Sequence, residues 1–190
     1  MRTYIPKNAK LIPENAKEVY HGKIFQVYEW PQKMFDGRIE TFEMIRRDDS
    51  VVIYAIMDDK IIVEKQRQPD TDWFYSFPAG RHDHADETEL EAAKRELREE
   101  TGLEFRDWKL ISVSQRESKI EAFVYTFVAT GLESRNEQEL DQGGEEIQVL
   151  ELTLDELKNL KGQPGTEHLH LERFDHINSL KDLQNLPSLL

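Results

Sequence analysis

At 190 residues, with 38% hydrophobic and 33% charged side chains, the chain is long enough to bury one substantial core and falls within the globular range. Its net charge of −13 opposes binding to long polynucleotides, which depends on many Lys and Arg contacts to phosphate, so no nucleic-acid partner is expected. The absence of cysteine removes disulfides, thiolate metal sites and a cysteine nucleophile. No apolar run has the length of a bilayer span, and Met1-Arg2-Thr3-Tyr4-Ile5-Pro6 lacks an apolar signal core, so the expectation is a cytoplasmic protein without a membrane partner.

From Glu18 to Ile45, short β-like runs are separated by His21-Gly22 and by Phe35-Asp36-Gly37, whose Asp-Gly is a hairpin signal; an antiparallel N-terminal β unit follows. Val51 to Met57 and Lys60 to Lys65 are apolar runs on either side of Asp58-Asp59, a second expected hairpin, and a loop at Pro69 to Asp72 ends the pattern. Thr88 to Thr101 reads as a helix: Thr88 and Glu91 have capping-box spacing, and Gly102 stands where a terminating glycine belongs. Trp108 to Val113, Ala122 to Ala129 and Ile147 to Leu152 read as strands, and Asp155 to Leu160 as a short helix. Lys161 to Thr166, with two Gly and one Pro, reads as a linker. Beyond it, Leu169, Phe174, Ile177, Leu180 and Leu183 recur at roughly helical spacing, which predicts a C-terminal helix ending near Pro187. The expected organisation is an N-terminal β unit over 1–46, a central domain over 47–161, and a linker with C-terminal helix over 162–190.

The chemistry concentrates on the central helix. Glu96, Glu99 and Glu100 stand at i, i+3 and i+4, hence on one side of it, where each like-charge pair costs roughly 0.2–0.5 kcal/mol unless solvent or a cation compensates. A solvated acidic face is the commoner meaning of three glutamates alone. Hard oxygen donors in such a cluster select Mg²⁺ or Mn²⁺, whose remaining positions are filled by waters and phosphate oxygens. The histidines of His82-Asp83-His84 and His168-Leu169-His170 lack the i, i+4 helical spacing of a zinc protease and read as ordinary polar loop residues. Alternating aromatics Phe25, Tyr28, Trp30 and Phe35 read as packing residues.

Gly80, Glu87, Arg95, Glu96, Leu97, Glu99, Glu100, Gly102 and Leu103 together resemble the box of the Nudix hydrolases. Glu87 to Leu103 fits without a gap; six residues rather than five separate Gly80 from Glu87, which lengthens the loop Arg81 to Asp86. The order around the box is similar to the ADP-ribose and nucleoside-diphosphate-sugar pyrophosphatase branch, with Glu64-Lys65-Gln66-Arg67 at a strand end and Phe77-Pro78-Ala79-Gly80 entering the box. A Ser-Pro-Gly turn frequent in that branch is replaced by Ser112-Val113-Ser114-Gln115-Arg116-Glu117-Ser118.

The resemblance implies an α+β Nudix fold, a mixed β-sheet between helices, with the N-terminal unit serving as a homodimerisation element. It implies that the Ala79 carbonyl, Glu96 and Glu100 hold Mg²⁺ or Mn²⁺, that Glu99 assists, and that the Gly143-Gly144-Glu145-Glu146 loop brings a further carboxylate, Glu145 before Glu146. Glu87 and Arg95 become a structural ion pair, and Leu90, Ala93 and Leu97 the stripe that seats the helix. Arg67 becomes a phosphate contact, and Arg47 and Arg116 join it as candidate substrate-binding residues. Among Glu99, Glu100, Glu145 and Glu146, the catalytic candidates, Glu99, Glu145 and Glu146 stay open as general base. The implied reaction is hydrolysis of a nucleoside diphosphate linked to another moiety, giving a nucleoside monophosphate and a sugar phosphate. Other diphosphates, and nucleotide sensing without hydrolysis, are the rival readings.

Overall fold

The computed structural model describes residues 2–140 and 144–189. In chain order the elements are β1 (Lys17–His21), β2 (Gln26–Lys33), β3 (Ile39–Arg46), β4 (Asp49–Met57), β5 (Lys60–Arg67), β6 (Phe74–Ser76), β7 (Ala79–His82), α1 (Glu89–Thr101), β8 (Leu103–Gln115), β9 (Ile120–Glu121), β10 (Phe123–Arg135), β11 (Glu146–Thr153), α2 (Leu154–Asn159) and α3 (Leu180–Gln184).

The expected N-terminal unit is the antiparallel meander β1-β2-β3, extended by β9, which runs parallel to β3. Gly37 turns its hairpin at φ 89°, a conformation a side chain resists, and the Met34 N–H donates to Arg38 O across the turn at 2.8 Å. Trp30 and Met44 are buried, whereas Val19, Tyr20, Ile24 and Ile39 are exposed and Phe35 projects from the hairpin tip.

The second sheet runs β11-β5-β4-β10-β8 and is mixed, since β10 pairs parallel with β4 and antiparallel with β8. β4 and β5 pair only beside their Asp58-Asp59 turn, at Ile56↔Ile61 and Met57↔Lys60, and then part. β7 lies along β4 and β6 along β5, so the Ser76–Gly80 segment crosses the middle of the sheet. The consecutive buried residues of β4 follow from cover on both faces. One face packs Ile53 and Ile62 with Ala92, Ala93 and Leu97 of α1; the other packs Tyr54, Ile61 and Val63 with Leu157, Leu171 and Phe174.

The C-terminal segment departs from the single helix that its apolar spacing predicts. Two 3₁₀ turns, Glu167–Leu169 and Leu171–Phe174, precede the five-residue α3, and His170 between them has φ 48°, outside any right-handed helix. Leu169, Leu171, Phe174, Leu180 and Leu183 are nevertheless all buried, so the packing requirement is met by turns that follow the sheet surface. The linker is ordered against β6: the Tyr75 N–H donates to Gly165 O at 2.6 Å.

Candidate active site

The box helix begins where its sequence says. Thr88 Oγ1 accepts from the Glu91 N–H at 3.2 Å, and Glu91 Oε2 accepts from the Thr88 N–H at 2.7 Å, which closes the capping box. It ends at Gly102, in the left-handed region at φ 71°, where an added Cβ would sit 2.1 Å from Asn136 O. Between these caps Ala93 and Leu97 are fully buried, Ala92 joins them and Leu90 packs at the edge, so the register that seats the helix turns the glutamates toward the β6–β7 segment.

Arg95 supplies the cation that offsets the crowding. Its guanidinium bonds both oxygens of Glu87, at 2.8 and 3.0 Å, Glu96 Oε1 at 2.8 Å and Arg81 O at 3.0 Å, and reaches Glu99 Oε2 at 3.3 Å. This is the loop-to-helix tie expected of Glu87 and Arg95, and it is partly buried, where such bonds are strongest. The lengthened loop ends in a turn in which the Glu87 N–H donates to His84 O, while His82 Nε2 lies 2.6 Å from Glu87 O.

Gly80 and Ala79 seat Glu96 and Glu100. A Cβ on Gly80 would lie 1.9 Å from Glu96 Cδ, so that carboxylate occupies the space a side chain would fill. The Ala79 N–H donates to Glu100 Oε2 at 3.0 Å.

Beside them stands Glu64, a residue for which the sequence reading assigned no role. It is fully buried on β5; Oε2 lies 3.3 Å from Gln66 Nε2 and 3.4 Å from Ser76 Oγ, and Oε1 is buried without a hydrogen-bond partner among the described residues. Burial raises the Glu64 carboxyl above its ordinary range; hydrogen bonding to Glu100 and Ser76 opposes the rise, and the charges of Glu145 and Glu96 add to it. Burial also raises Glu100 well above that range, assisted by Glu64, Glu96 and Glu145, and raises Glu96 against the opposing pull of Arg95. Four carboxylates from α1, β5 and the segment before β11 thus act on one another at the crossing of the β6–β7 segment. The one sequence signal for Glu64 is an acid directly after the apolar run Ile61-Ile62-Val63 on a central strand.

The remaining expected site residues lie elsewhere. Glu146 faces Arg67 across the β5–β11 ladder and holds it bidentately, at 2.8 and 3.0 Å, with the Arg67 guanidinium 5.0 Å from the Trp73 ring centroid. Glu146, the second choice after Glu145 for the loop's further carboxylate, is here an exposed partner of Arg67. Gly143 lies outside the described residues. Arg47 lines a cavity of about 320 Å³ between the N-terminal sheet and the lengthened loop, together with His21, Lys23, His82 and His84. A larger cavity of about 830 Å³, below the end of α1 and bounded by Leu103, Arg135, Gln138 and Ile147, contains none of the four carboxylates. Arg116 is exposed in the turn between β8 and β9.

The cluster fits a divalent cation on chemical grounds: an oxygen donor buried without a partner among the described residues, carboxyls raised by burial and by neighbouring negative charge, and a glycine cradle that brings a carboxylate against the backbone. Among the described residues no three His, Asp or Glu side chains already stand in the geometry of a filled metal site; Arg95 and the Ala79 N–H hold two of the carboxylates instead.

The family model of the NUDIX domain matches residues 46–172, more than half of the chain. The chain belongs to the NUDIX family. An ADP-ribose pyrophosphatase of Bacillus subtilis (strain 168) is 31% identical over 150 residues, covering 76% of this chain and 80% of that protein. A methanol dehydrogenase activator of Bacillus methanolicus is 28% identical over 146 residues, covering 74% and 77%. A solved structure described as an ADP compounds hydrolase superposes with a TM-score of 0.65 over 91% of this chain and 88% of that one, at 21% identity, and agrees in fold. NUDIX hydrolases generally use a divalent metal, in accord with the carboxylate cluster.

Proposed function

We propose that the chain hydrolyses the diphosphate of ADP-ribose or a closely related nucleotide sugar, with Mg²⁺ or Mn²⁺ as its cation. The observation that carries this reading is the convergence of Glu64, Glu96, Glu100 and Glu145 where Ala79 and Gly80 cross the sheet. Its similarity to an ADP-ribose pyrophosphatase supports the substrate class.

Glu96, Glu100, Glu145 and the Ala79 carbonyl would hold the cation, with Glu99 at the edge of the set. When bound, a divalent cation neutralises the diphosphate and makes water a stronger nucleophile at neutral pH. The chain's own contribution is positional. Gly80 fixes where the Glu96 carboxylate sits, the Ala79 N–H fixes Glu100, and Arg95 keeps the loop on the helix. Glu99 or Glu145 takes the proton of the attacking water. Arg67, stacked on Trp73, exchanges its Glu146 partner for a substrate phosphate, and Arg47 and Arg116 would supply further positive charge to the substrate. Cleavage leaves a nucleoside monophosphate and a sugar phosphate.

The exposed Val19, Tyr20, Ile24 and Ile39 of the N-terminal sheet favour a homodimer that covers them. The net charge of −13 disfavours a polynucleotide partner and suits a cytoplasmic small-molecule enzyme. A product-resolved panel of ADP-ribose, nucleotide sugars, nucleoside triphosphates and capped RNA tests the substrate class. The best nucleotide sugar is expected to have the highest kcat/KM, and Arg67→Ala to lower it; a preference for triphosphates or capped RNA, or an unchanged kcat/KM in Arg67→Ala, would reject the assignment.

A further inference from the structure

We propose that Glu64 is a fourth acidic member of the cation site, reaching it from β5 beneath the box helix. The inference rests on the reading of the carboxylate cluster as a cation site and adds a residue from outside the box.

Two independent observations carry it. The first is placement: Glu64 stands on the strand beside Ser76, two residues from Pro78 and three from Ala79, whose N–H bonds Glu100. Its carboxyl meets that of Glu100, and the charges of Glu96 and Glu145 act on both. The second is the unused oxygen. Glu64 has no exposed surface, Gln66 and Ser76 serve only Oε2, and Oε1 finds no donor among the described residues. A buried carboxylate oxygen left without a partner is costly, and a structural glutamate in a packed strand is normally satisfied on both oxygens. Apolar residues occupy the three preceding positions of β5 at no such cost. A cation shared with Glu100 turns the unpaired oxygen and the carboxyl-to-carboxyl contact into ligation, and hard divalent ions accept oxygen donors of this kind.

The test is Mn²⁺ binding to chelator-stripped protein without substrate, followed by the electron paramagnetic resonance signal of the free ion. Glu64→Gln is expected to weaken Mn²⁺ binding by at least about tenfold or to remove one bound ion, the range seen when groups supporting a metal are lost. It is also expected to reduce the rise in melting temperature that saturating Mn²⁺ produces. Circular dichroism checks folding, and Glu64→Asp, which keeps the charge but withdraws the oxygens, is expected to weaken binding in the same direction. If Glu64→Gln and Glu64→Asp fold and bind Mn²⁺ with wild-type affinity and stoichiometry while Glu100→Gln does not, Glu64 is not part of the site and the proposed function stands. If the wild-type protein itself binds no Mn²⁺, both readings fall.

Discussion

Gly80→Ala is expected to disable catalysis while leaving the fold intact. The added Cβ would lie 1.9 Å from Glu96 Cδ and 2.1 and 2.2 Å from its two oxygens. Since carbon atoms pack at about 3.5–4.0 Å, the Glu96 carboxyl must retreat by about 1.6–2.1 Å. A displacement of about 1 Å at a reacting site costs on the order of a hundredfold in rate, so kcat should fall by at least about that factor. Folding is affected far less, because the displaced atoms are the end of a flexible side chain and the backbone of Gly80 needs no positive φ. The main structural loss is the Arg95–Glu96 contact, about 1 kcal/mol at most given that Arg95 keeps Glu87. That corresponds to a melting shift of about 2–4 °C for a chain of this size. Steady-state hydrolysis of ADP-ribose with saturating Mg²⁺, alongside a thermal melt, measures both. A kcat within about threefold of wild type would refute the reasoning, and a large loss of melting temperature would show that Gly80 serves the fold.

Glu100→Gln should lower kcat by at least about a hundredfold, since it removes charge stabilisation while its amide oxygen can still accept from the Ala79 N–H; wild-type kcat at saturating metal would contradict the role. Stability of the metal-free protein should depend on pH through Glu64 and Glu100. Both carboxyls are raised by burial and by the charges of Glu96 and Glu145, so the folded state retains protons that the unfolded chain releases. Their contribution to stability is therefore fully present below about pH 4.5 and is lost as pH rises toward about 8, where Glu64 ionises, by up to about 1.4 kcal/mol per pH unit for each retained proton. Saturating Mg²⁺ should flatten that slope; identical slopes with and without the ion, in melts from about pH 5 to 8, would count against the cluster.

Which parts of the structure were legible in the sequence follows from the range of the interactions. Thr88, Glu91 and Gly102 delimit α1 through contacts within a few residues, and Gly37 and Asp58 mark their hairpins through local backbone conformation. Glu87 and Arg95, eight residues apart, meet as charge and helix geometry suggest. β6, β7 and β9 have three, four and two residues, too few to show any period, yet the first two frame Ser76 to Gly80 at the site. The C-terminal spacing of Leu169, Phe174 and Leu180 shows that residues bury, and turns satisfy that demand as well as a helix does. Glu146 and Arg67 pair because β11 lies beside β5 in one register, information carried by the sheet as a whole. Glu64 is the clearest case: it follows the apolar run Ile61-Ile62-Val63, and only the fold brings Glu96, Glu100 and Glu145 to it.

The central claim is that hydrolysis of a diphosphate depends on a cation held by this carboxylate cluster. The most direct measurement is release of AMP and ribose 5-phosphate from ADP-ribose by chelator-stripped protein, titrated with Mg²⁺. No turnover before addition, and saturable recovery on adding Mg²⁺ or Mn²⁺ that Glu100→Gln does not share, is the expected result. Full turnover in excess chelator would contradict it.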